Sequence, residues 1–369
     1  MAIQDQLPAA ELDRRDALAG RLGEATIAAF DLFTIYLGDR LGLYRELADH
    51  GPLSGPELAA RSGTDPRQVR EWLEQQAISG IVDVVADGGS EDRRYGLSAG
   101  HAEVLLDRTS LAYLAPLSRM VVSVGRTLEP VLGSFRSGDG VPWEAYGKDA
   151  REGQADINRP VCDRLLGSVW LRAIDDLDAR LRTDPPARVA DIACGGGWST
   201  MAIARAYPNV QVDGFDIDLA SIELARDNLA RFGPDVADRV RFHLADAADQ
   251  LVVGSYDAAV ILEALHDMAH PVEALRTVRG MLAADGQVIV IDERAAEVFG
   301  AVGDPTERTF YGWSVLCCLP AGMSEPGSAA TGTVMRPSTV ERYARDAGFG
   351  RFEILPIDHD AFRLYRLRT

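Results

Sequence analysis

The protein has 369 residues, of which 47% are hydrophobic and 25% charged, with a formal net charge of −18 at pH 7. This length allows two domains with separate cores, and the composition is that of an ordinary globular protein. The acidic balance argues against general affinity for nucleic acid, which requires clustered Lys and Arg. The N-terminus lacks the apolar core of a signal peptide, and no apolar stretch reaches membrane-spanning length. We therefore predict a cytoplasmic protein with no nucleic-acid or membrane partner.

The cysteines do not predict a disulfide framework or a metal site. The chain has four of them, at irregular spacing: Cys162, Cys194, Cys317 and Cys318. No C-x-x-C pair or His/Cys cluster with zinc-ligand spacing is present in the sequence. We expect reduced thiols in apolar surroundings and no metal.

The first part of the chain has the pattern of a winged-helix module. An amphipathic segment, "LFTIYLGDRLGLYRELA", is followed by a short helix between Ser54 and Gly63 and by a third helix with Asp65 as its cap and Pro66 in its first turn. The segments "IVDVV" and "RYGLSAG" then flank a polar turn, as in a β-hairpin. Three helices followed by a hairpin are typical of winged-helix domains.

The charges of the third helix do not favour DNA binding by this module. A recognition helix must enter the major groove, and this one carries Arg67 and Arg70 against Asp65, Glu71 and Glu74. We therefore expect a packing or dimerisation role. A metabolite-sensing DNA-binding regulator remains the alternative from another class of function.

The remaining chain changes from helical to alternating periodicity. Residues 110–182 are helical in pattern apart from a Gly-rich break, and "INRPVCDRLLGSVWLRAIDDLDARL" predicts one long amphipathic helix. After the linker "RTDPPAR", strand-like and helical segments alternate, which predicts a parallel sheet with a ligand site at the carboxyl ends of its strands. We place domains at 1–115 and 183–369, with a helical connector at 116–182 that contributes to a substrate pocket.

Acidic residues follow three successive predicted strands. The first strand ends in "DIACGGGWS", where Asp191 precedes a glycine loop and Thr200 replaces the third glycine of a dinucleotide fingerprint. The next two end in "GFDID" and "LADAAD", offering Asp216 and Asp246. Each acid alone could be a helix cap. Together with the glycine loop, they favour a ligand with an adenosine and a cationic amino-acid part over an anionic pyrophosphate.

These motifs resemble the class I S-adenosylmethionine-dependent methyltransferases. The resemblance covers roughly residues 155–369 through "DIACGGG", "FDID", "ADAAD" and "YDAAVILEALHD". With its helical front half, the chain is similar to the caffeic acid type of O-methyltransferase and its bacterial small-molecule relatives. The resemblance implies a Rossmann-like, mostly parallel seven-stranded sheet with helices on both faces, behind a mainly helical winged-helix domain that forms a homodimer.

The resemblance also implies S-adenosyl-L-methionine as cofactor and S-adenosyl-L-homocysteine as product. The residues implied to bind the cofactor are Asp191, Ala193, Gly195, Gly197, Asp216, Ile217, Asp246, Ala247 and Glu263. Ala193 stands where relatives have the first glycine of the loop.

The segment "EALHDMAHP" follows a predicted core strand and supplies the implied catalytic residues. Relatives carry "HDW" here, with the His as general base, so His266 is the implied base and Asp267 its neighbour. An imidazole is a suitable base for a hydroxyl at neutral pH when a carboxylate orients it. Glu293 in "VIDER" matches one steering acid of the family, with Asp292 beside it, whereas Met335 replaces the other.

The acceptor pocket is expected to use side chains from outside the sheet. Asn158 and Arg159 in "INRP" resemble the start of the helix that lines the pocket in relatives. The segment "YGWSVLCCLPAGM", with Trp313 and Cys317, is either a buried core helix or an apolar wall for the acceptor. We expect methyl transfer to a hydroxyl or carboxylate oxygen of a small molecule, a natural product by analogy, with transfer to nitrogen or carbon as the alternative.

Overall fold

The computed structural model describes residues 7–248, 255–300 and 303–369. The chain divides into two compact units, Met1–Val122 and Ser123–Thr369. The division of the sequence into three parts at residues 115 and 182 stays a prediction.

The first unit is helical with one small hairpin. Its elements are α1 (Ala9–Arg40), α2 (Leu43–His50), α3 (Gly55–Ser62), α4 (Pro66–Ile78), β1 (Asp83–Ala86), β2 (Arg94–Gly96) and α5 (Ala99–Leu106). The Ser54 side chain caps α3 in a capping box with Glu57, and Asp65 caps α4 ahead of Pro66. The strands β1 and β2 pair antiparallel. The predicted winged-helix arrangement and its capping residues are confirmed.

The second unit opens with helices, after α6 (Pro116–Arg126) has crossed the boundary between the units. These are α7 (Leu128–Ser137), α8 (Gly147–Val161) and α9 (Asp175–Arg182). The prediction of one long helix across this region was wrong. After Val161 the chain continues as a π-helix, Cys162–Trp170, and a 3₁₀ turn, and it breaks at Ile174 before α9. Pro160 lies inside α8 just before this change, and a proline removes a backbone donor and crowds the preceding turn.

The rest of the second unit alternates strands and helices. The strands are β3 (Arg188–Ile192), β4 (Gln211–Asp216), β5 (Val240–Leu244), β6 (Tyr256–Leu262), β7 (Leu282–Glu293), β8 (Arg351–Ile354) and β9 (Phe362–Arg368). The helices are α10 (Trp198–Ala206), α11 (Leu219–Phe232), α12 (Pro271–Met281), α13 (Pro305–Trp313), α14 (Leu319–Gly322) and α15 (Pro337–Asp346). A π-helical turn, Ser314–Cys318, joins α13 to α14.

The strands form one mixed sheet in the order β5-β4-β3-β6-β7-β9-β8, seven strands within the described residues. Strands β3 to β7 pair in parallel, while β9 runs antiparallel to both β7 and β8. Two buried apolar clusters are built on this sheet, one around Val189, Val260 and Ile289 and the other around Ile192 and Ile261. The predicted Rossmann-like fold, mostly parallel and preceded by a helical domain, is confirmed.

The register of the sheet gathers the carboxyl ends of β3 to β7 at one edge, which we call the carboxyl edge. Ile192 pairs with Phe215 on one side and with Ile261 on the other. Asp216 pairs with Leu244, and Leu262 with Ile291. The chain leaves β3 toward β4 on one side while β6 lies on the other, so this edge is where the strand order reverses and where such sheets bind ligands.

No helix among the described residues combines the length and the apolarity needed to cross a bilayer.

Candidate active site

Asp191 lies at the end of β3 with one carboxylate oxygen fully engaged and the other without a partner. The Ser199 and Thr200 hydroxyls, in the first turn of α10, donate to Oδ2 at 2.6 and 2.5 Å. Oδ1 is buried and accepts no hydrogen bond from the described residues. Burial raises the pKa of Asp191 to about 6, although the two hydroxyl bonds oppose this. Thr200, which departs from the dinucleotide fingerprint, thus anchors the acid.

The glycine loop after β3 turns through left-handed backbone conformations. Gly195 and Gly197 have φ of +51° and +78°. A Cβ on Gly197 would lie 2.5 Å from the Phe242 ring, whereas a Cβ on Gly195 would meet no atom within 4 Å. Ala193 has φ +56°, so an alanine occupies a region that favours glycine. The loop therefore packs tightly at Gly197 and leaves open space at Gly195.

Asp216, at the end of β4, holds the glycine loop from the side. The Gly195 amide donates to its Oδ2 and the Asp218 amide to its Oδ1, each at 2.8 Å. Burial raises the pKa of Asp216, against the effect of these two bonds. The Ile217 side chain beside it is 60% exposed, which leaves an apolar surface at the carboxyl edge.

The loop after β5 contributes Asp246 and Ala247. The Ala248 amide donates to Oδ1 of Asp246 at 2.8 Å, and Ala247 packs against the apolar cluster that contains Ile192 and Ile261. The ends of β3, β4 and β5 therefore each place an acid at the carboxyl edge, as the sequence order predicts.

Glu263 follows β6 in a strained backbone conformation, with φ +48°. Its backbone amide donates to the Ile291 carbonyl at 2.8 Å, and its Oε2 accepts from the side-chain amide of Gln154 at 3.2 Å. Removal from water raises the pKa of Glu263 to about 7, while a hydrogen bond with Asn158 opposes this. Asn158 thus lies at Glu263. Gln154 is a residue that we did not predict, although it precedes Asn158 by one helical turn of α8 and periodicity could have found it.

His266 is 2% exposed and has carboxylates at both ring nitrogens. Its Nδ1 lies 2.8 Å from Oδ1 of Asp292 and 3.0 Å from Oε2 of Glu293. Its Nε2 lies 3.3 Å from Oδ1 of Asp267, whose side chain is 43% exposed. The hydrogen bond at Nδ1 goes to Asp292. This arrangement fixes the ring and leaves Nε2 as the atom that can exchange a proton.

Electrostatics favours the charged form of His266. Burial by itself lowers the pKa of the imidazole, but Asp267, Glu293 and Asp292 outweigh it and hold the pKa well above its usual value. Burial raises the pKa of Glu293 well above its usual range. The pKa of Asp292 is lowered, because His266 outweighs the opposing effect of burial. The environment therefore favours the imidazolium form of His266 and the carboxylate form of Asp292, and it disfavours the carboxylate form of Glu293.

Two acids lie at Nδ1 of His266, although the sequence matches only one steering acid of the family. We expected Glu293 as the partner and treated Asp292 as its neighbour, and the structure brings both to the ring. Met335, which replaces the other family acid, is 2% exposed in the apolar cluster with Ile192. Asp292 thus supplies the second carboxylate from the end of β7.

The segment that holds Trp313 and Cys317, which the sequence reads as either a core helix or an acceptor wall, reaches His266 through Cys318. Cys317 and Trp313 pack in a cluster with Tyr146, and the backbone of Gly322 approaches that of Asp267. The Tyr146 hydroxyl donates to the Leu316 carbonyl at 2.9 Å. That carbonyl precedes Pro320 by four residues, and a proline has no amide to bond it within a helix.

Arg159 contacts other side chains of this protein, and these contacts account for its position without a substrate. Its guanidinium lies 4.1 Å from the centre of the Trp198 ring and 4.7 Å from that of Phe232. Its Nε lies 3.3 Å from the Asp163 carboxylate, one turn along the helix. These contacts indicate a packing role in which the cation stacks on aromatic faces. We therefore assign Arg159 no role in substrate binding.

Two family models match this chain. Residues 190–288 match a model described as "Methyltransferase domain", and residues 28–108 match a model described as "Rv2258c-like winged HTH domain". The first runs from within β3 to within β7, and the second covers most of the first unit.

Curated relatives match parts of the chain. O-methyltransferase cnsE of Penicillium expansum is 32% identical over 33% of this chain and 43% of its own length. The 27-O-demethylrifamycin SV methyltransferase of Amycolatopsis mediterranei is 33% identical over 35% of this chain and 43% of its own. Acetylserotonin O-methyltransferase of Mus musculus molossinus is 24% identical over 66% of this chain and 64% of its own. The chain thus spans less than two thirds of these relatives.

Solved structures match over nearly the whole chain. The mitomycin 7-O-methyltransferase MmcR has a TM-score of 0.70 at 21% identity, covering 97% of this chain and 99% of that one. Human N-acetylserotonin methyltransferase, in complex with SAM, has a TM-score of 0.69 at 16% identity, covering 100% and 99%. At these identities the likeness shows a shared fold.

Proposed function

We propose that the chain is a class I, S-adenosylmethionine-dependent methyltransferase with a winged-helix domain in front, and that it methylates an oxygen of a small molecule with His266 as general base. The observation that supports this most is the buried contact between His266 and Asp292 at the same sheet edge as Asp191 and Asp216. This edge therefore holds an imidazole fixed by a carboxylate next to the acids that we expect around a cationic nucleoside ligand.

The residues at the carboxyl edge fit S-adenosylmethionine. The buried Oδ1 of Asp191 lacks a partner within the described part of the chain and suits an ammonium donor. Asp216 retains lone pairs for ribose hydroxyls beyond the two amide bonds that it accepts. The open space at Gly195 lets the ligand approach the backbone. Asp246 and Ile217 would then face the adenine.

The cofactor supplies a methyl group activated on a sulfonium. Within this chain, Nε2 of His266 would receive the proton of the acceptor hydroxyl, which becomes a strong nucleophile only as it loses that proton. Asp292 orients the ring through Nδ1 and stabilises the charged imidazolium. The apolar wall of Trp313, Cys317 and Tyr146 excludes water and would contact an apolar or planar acceptor. Asn158 and Gln154 orient Glu263 at the same edge.

We favour oxygen over nitrogen or carbon as the methyl acceptor because neighbouring acids fix the His266 ring in place. A neutral amine carries its own lone pair and needs no side-chain base, whereas this ring is held by two acids at Nδ1. The names of the relatives above, which describe O-methylation, support the same choice. A natural product is the acceptor class that we propose from this likeness.

We further propose that the protein is a homodimer through its first unit. Helix α1 exposes a series of large apolar side chains: Leu18, Leu22, Ile27, Phe30, Phe33 and Leu37. A long helix that exposes so much apolar surface is stabilised by a partner, and a second copy offers a matching surface. Within α4 the arginines pair with acids, Arg67 with Glu71 and Arg70 with Glu91. This pairing supports packing over DNA binding.

The test combines cofactor binding with acceptor screening. Calorimetry is expected to detect S-adenosylmethionine and S-adenosylhomocysteine binding, with no measurable binding of NAD. Incubation with methyl-labelled cofactor and panels of phenols, polyketides and amines, read by mass spectrometry, should then give an O-methylated product. Methylation of amines alone would contradict the oxygen assignment. A specific shift of DNA in electrophoresis at low salt, with no methylated product, would favour the regulator.

A further inference from the structure

Three potential metal ligands of different chemistry meet on the Nε2 side of His266. One ligand atom each of His266, Asp267 and Cys318 lies within 4.8 Å of the other two, and Nε2 of His266 lies 3.3 Å from Oδ1 of Asp267. His266 and Asp267 follow β6, while Cys318 ends the π-helical turn before α14. The sequence spacing predicts no metal site, because the two segments are about fifty residues apart and only the fold brings them together.

The separation of two of these atoms suits tetrahedral coordination. Zinc binds histidine nitrogen and carboxylate oxygen at about 2.0–2.1 Å, which puts the two ligand atoms about 3.3 Å apart in a tetrahedron. Nε2 and the Asp267 Oδ1 are 3.3 Å apart. The thiol sulfur, within 4.8 Å of a ligand atom of each of the other two residues, would complete a three-ligand set with a fourth position open.

The other face of His266 has the support that metal-bound histidines usually have. A ligating imidazole donates its second N–H to a carboxylate, which fixes the tautomer and directs the lone pair toward the metal. Here Nδ1 is bonded to Asp292, so Nε2 faces Asp267, and an ion that displaces the Nε2 proton would meet the lone pair on that side. Asp292 also has a buried oxygen without a hydrogen-bond partner in the described residues, which adds to the negative potential around the ring.

The ligand side chains are accessible enough for an ion to enter. Asp267 is 43% exposed at its side chain, and Cys318 is partly exposed, whereas the neighbouring Cys317 is buried. A nitrogen, an oxygen and a sulfur donor together favour zinc or a similarly soft divalent ion over magnesium or calcium, which prefer oxygen alone.

We propose that His266, Asp267 and Cys318 bind one Zn²⁺, and that this ion inhibits methyl transfer. The binding itself is independent of the proposed function, whereas the inhibition rests on it. A nitrogen lone pair that coordinates a metal can no longer accept the acceptor's proton. Zinc occupancy therefore removes the base without altering the glycine loop or Asp216.

Binding can be tested on the full-length protein after dialysis against a chelator. ZnCl₂ titrated by calorimetry should bind with one site per chain, and Co²⁺ should give the absorption of a thiolate ligand in a tetrahedral site. Cys318→Ser should abolish the thiolate absorption and, because it removes a direct ligand, weaken Zn²⁺ binding by more than the about 10–100-fold that loss of an orienting partner costs. Cys317→Ser is the matched control and should retain both. Asp292→Asn should weaken binding by about 10–100-fold, as loss of an orienting partner does.

Inhibition is measured against each variant's own zinc-free rate. Zn²⁺ should abolish turnover of the wild type, and EDTA should restore it, while Cys318→Ser should need more zinc in proportion to the affinity that it has lost. Equal Zn²⁺ affinity and Co²⁺ spectra in the wild type and Cys318→Ser would overturn the site. Stimulation of turnover by zinc would overturn the inhibitory role. If no acceptor is methylated at all, the proposed function fails while the Co²⁺ spectra still decide the binding.

Discussion

Nδ1 of His266 lies 2.8 Å from Oδ1 of Asp292, with the two side chains 2% and 1% exposed. An ion pair this deeply buried holds its partners in one geometry, because neither can exchange the other for water. The ring therefore presents Nε2 in a fixed direction. The following expectations depend on this contact and on the glycine loop beside it.

The pH dependence of kcat/KM should report the raised pKa of His266. The carboxylates around the ring hold that pKa well above the ordinary value of about 6.5. A base works only when deprotonated, so the rate should keep rising with pH above 6.5 and level off once the ring has lost its proton. A rate already constant from pH 6 upward would contradict this.

Asp292→Asn tests the cause of that shift. Removing the carboxylate removes a charge that favours the imidazolium, so the pKa of His266 should fall and the kcat/KM profile should move to lower pH. The plateau rate should fall as well, because the amide holds the ring less firmly. Glu293→Gln should shift the profile less, since burial raises the pKa of Glu293 and so disfavours the charge that the substitution removes. An unchanged profile in Asp292→Asn would show that another group limits the rate.

Asp216, at the end of β4, should control the affinity for S-adenosylmethionine. Asp216→Ala removes a charged acceptor and also releases the amides of Gly195 and Asp218. We expect the binding free energy of S-adenosylmethionine to fall by about 1.5–3 kcal/mol for each charged hydrogen bond lost. Asp216→Asn keeps the shape of the side chain and should have a smaller effect. Calorimetry that finds wild-type affinity in Asp216→Ala would exclude this ribose site.

Alanine substitutions at the two loop glycines should affect different properties. Gly197→Ala should mainly lower protein stability, and Gly195→Ala should mainly weaken cofactor binding. A Cβ on Gly197 would lie 2.5 Å from the Phe242 ring, so Gly197→Ala should lower the free energy of unfolding by about 1–3 kcal/mol. Gly195→Ala places its methyl group in open space at φ +51°, close to the φ of +56° that Ala193 already has. The left-handed backbone should cost about 1–2 kcal/mol, so the variant should melt only a few degrees below the wild type yet bind cofactor poorly. Wild-type cofactor affinity in Gly195→Ala would mean that the ligand does not approach this loop.

The oligomeric state tests the exposed face of α1. Ile27 and Phe30 are 63% and 60% exposed. Replacing both with Glu should convert a dimer into a chain of 39.9 kDa in analytical ultracentrifugation, because it puts charges into an apolar interface. Val298→Glu, an exposed position in the second unit, should leave the mass of the dimer unchanged. A wild type that sediments as a monomer at micromolar concentration would contradict the proposal.

Strand and helix patterns predicted the sheet edge well because each acid follows its own strand, and a parallel sheet aligns strand ends regardless of side-chain detail. The sequence could not show which acid bonds His266, since Asp292 and Glu293 are adjacent and only the twist of β7 decides how each side chain points. It also could not foresee the π-helical turns, because a proline locates a disturbance in a helix without specifying the geometry that results. Cys318 reaches the site only through such a turn.

The central claim is tested most directly by His266→Ala, compared with the wild type in cofactor binding and in turnover with the best acceptor found. The nucleotide loops are untouched, so the dissociation constant of S-adenosylmethionine should stay close to that of the wild type. Turnover should fall by about 10²–10⁴-fold, the usual contribution of a positioned base. Thermal melting should verify that the variant is folded. Near-normal turnover in a folded His266→Ala protein would contradict the account and favour an acceptor that needs no side-chain base.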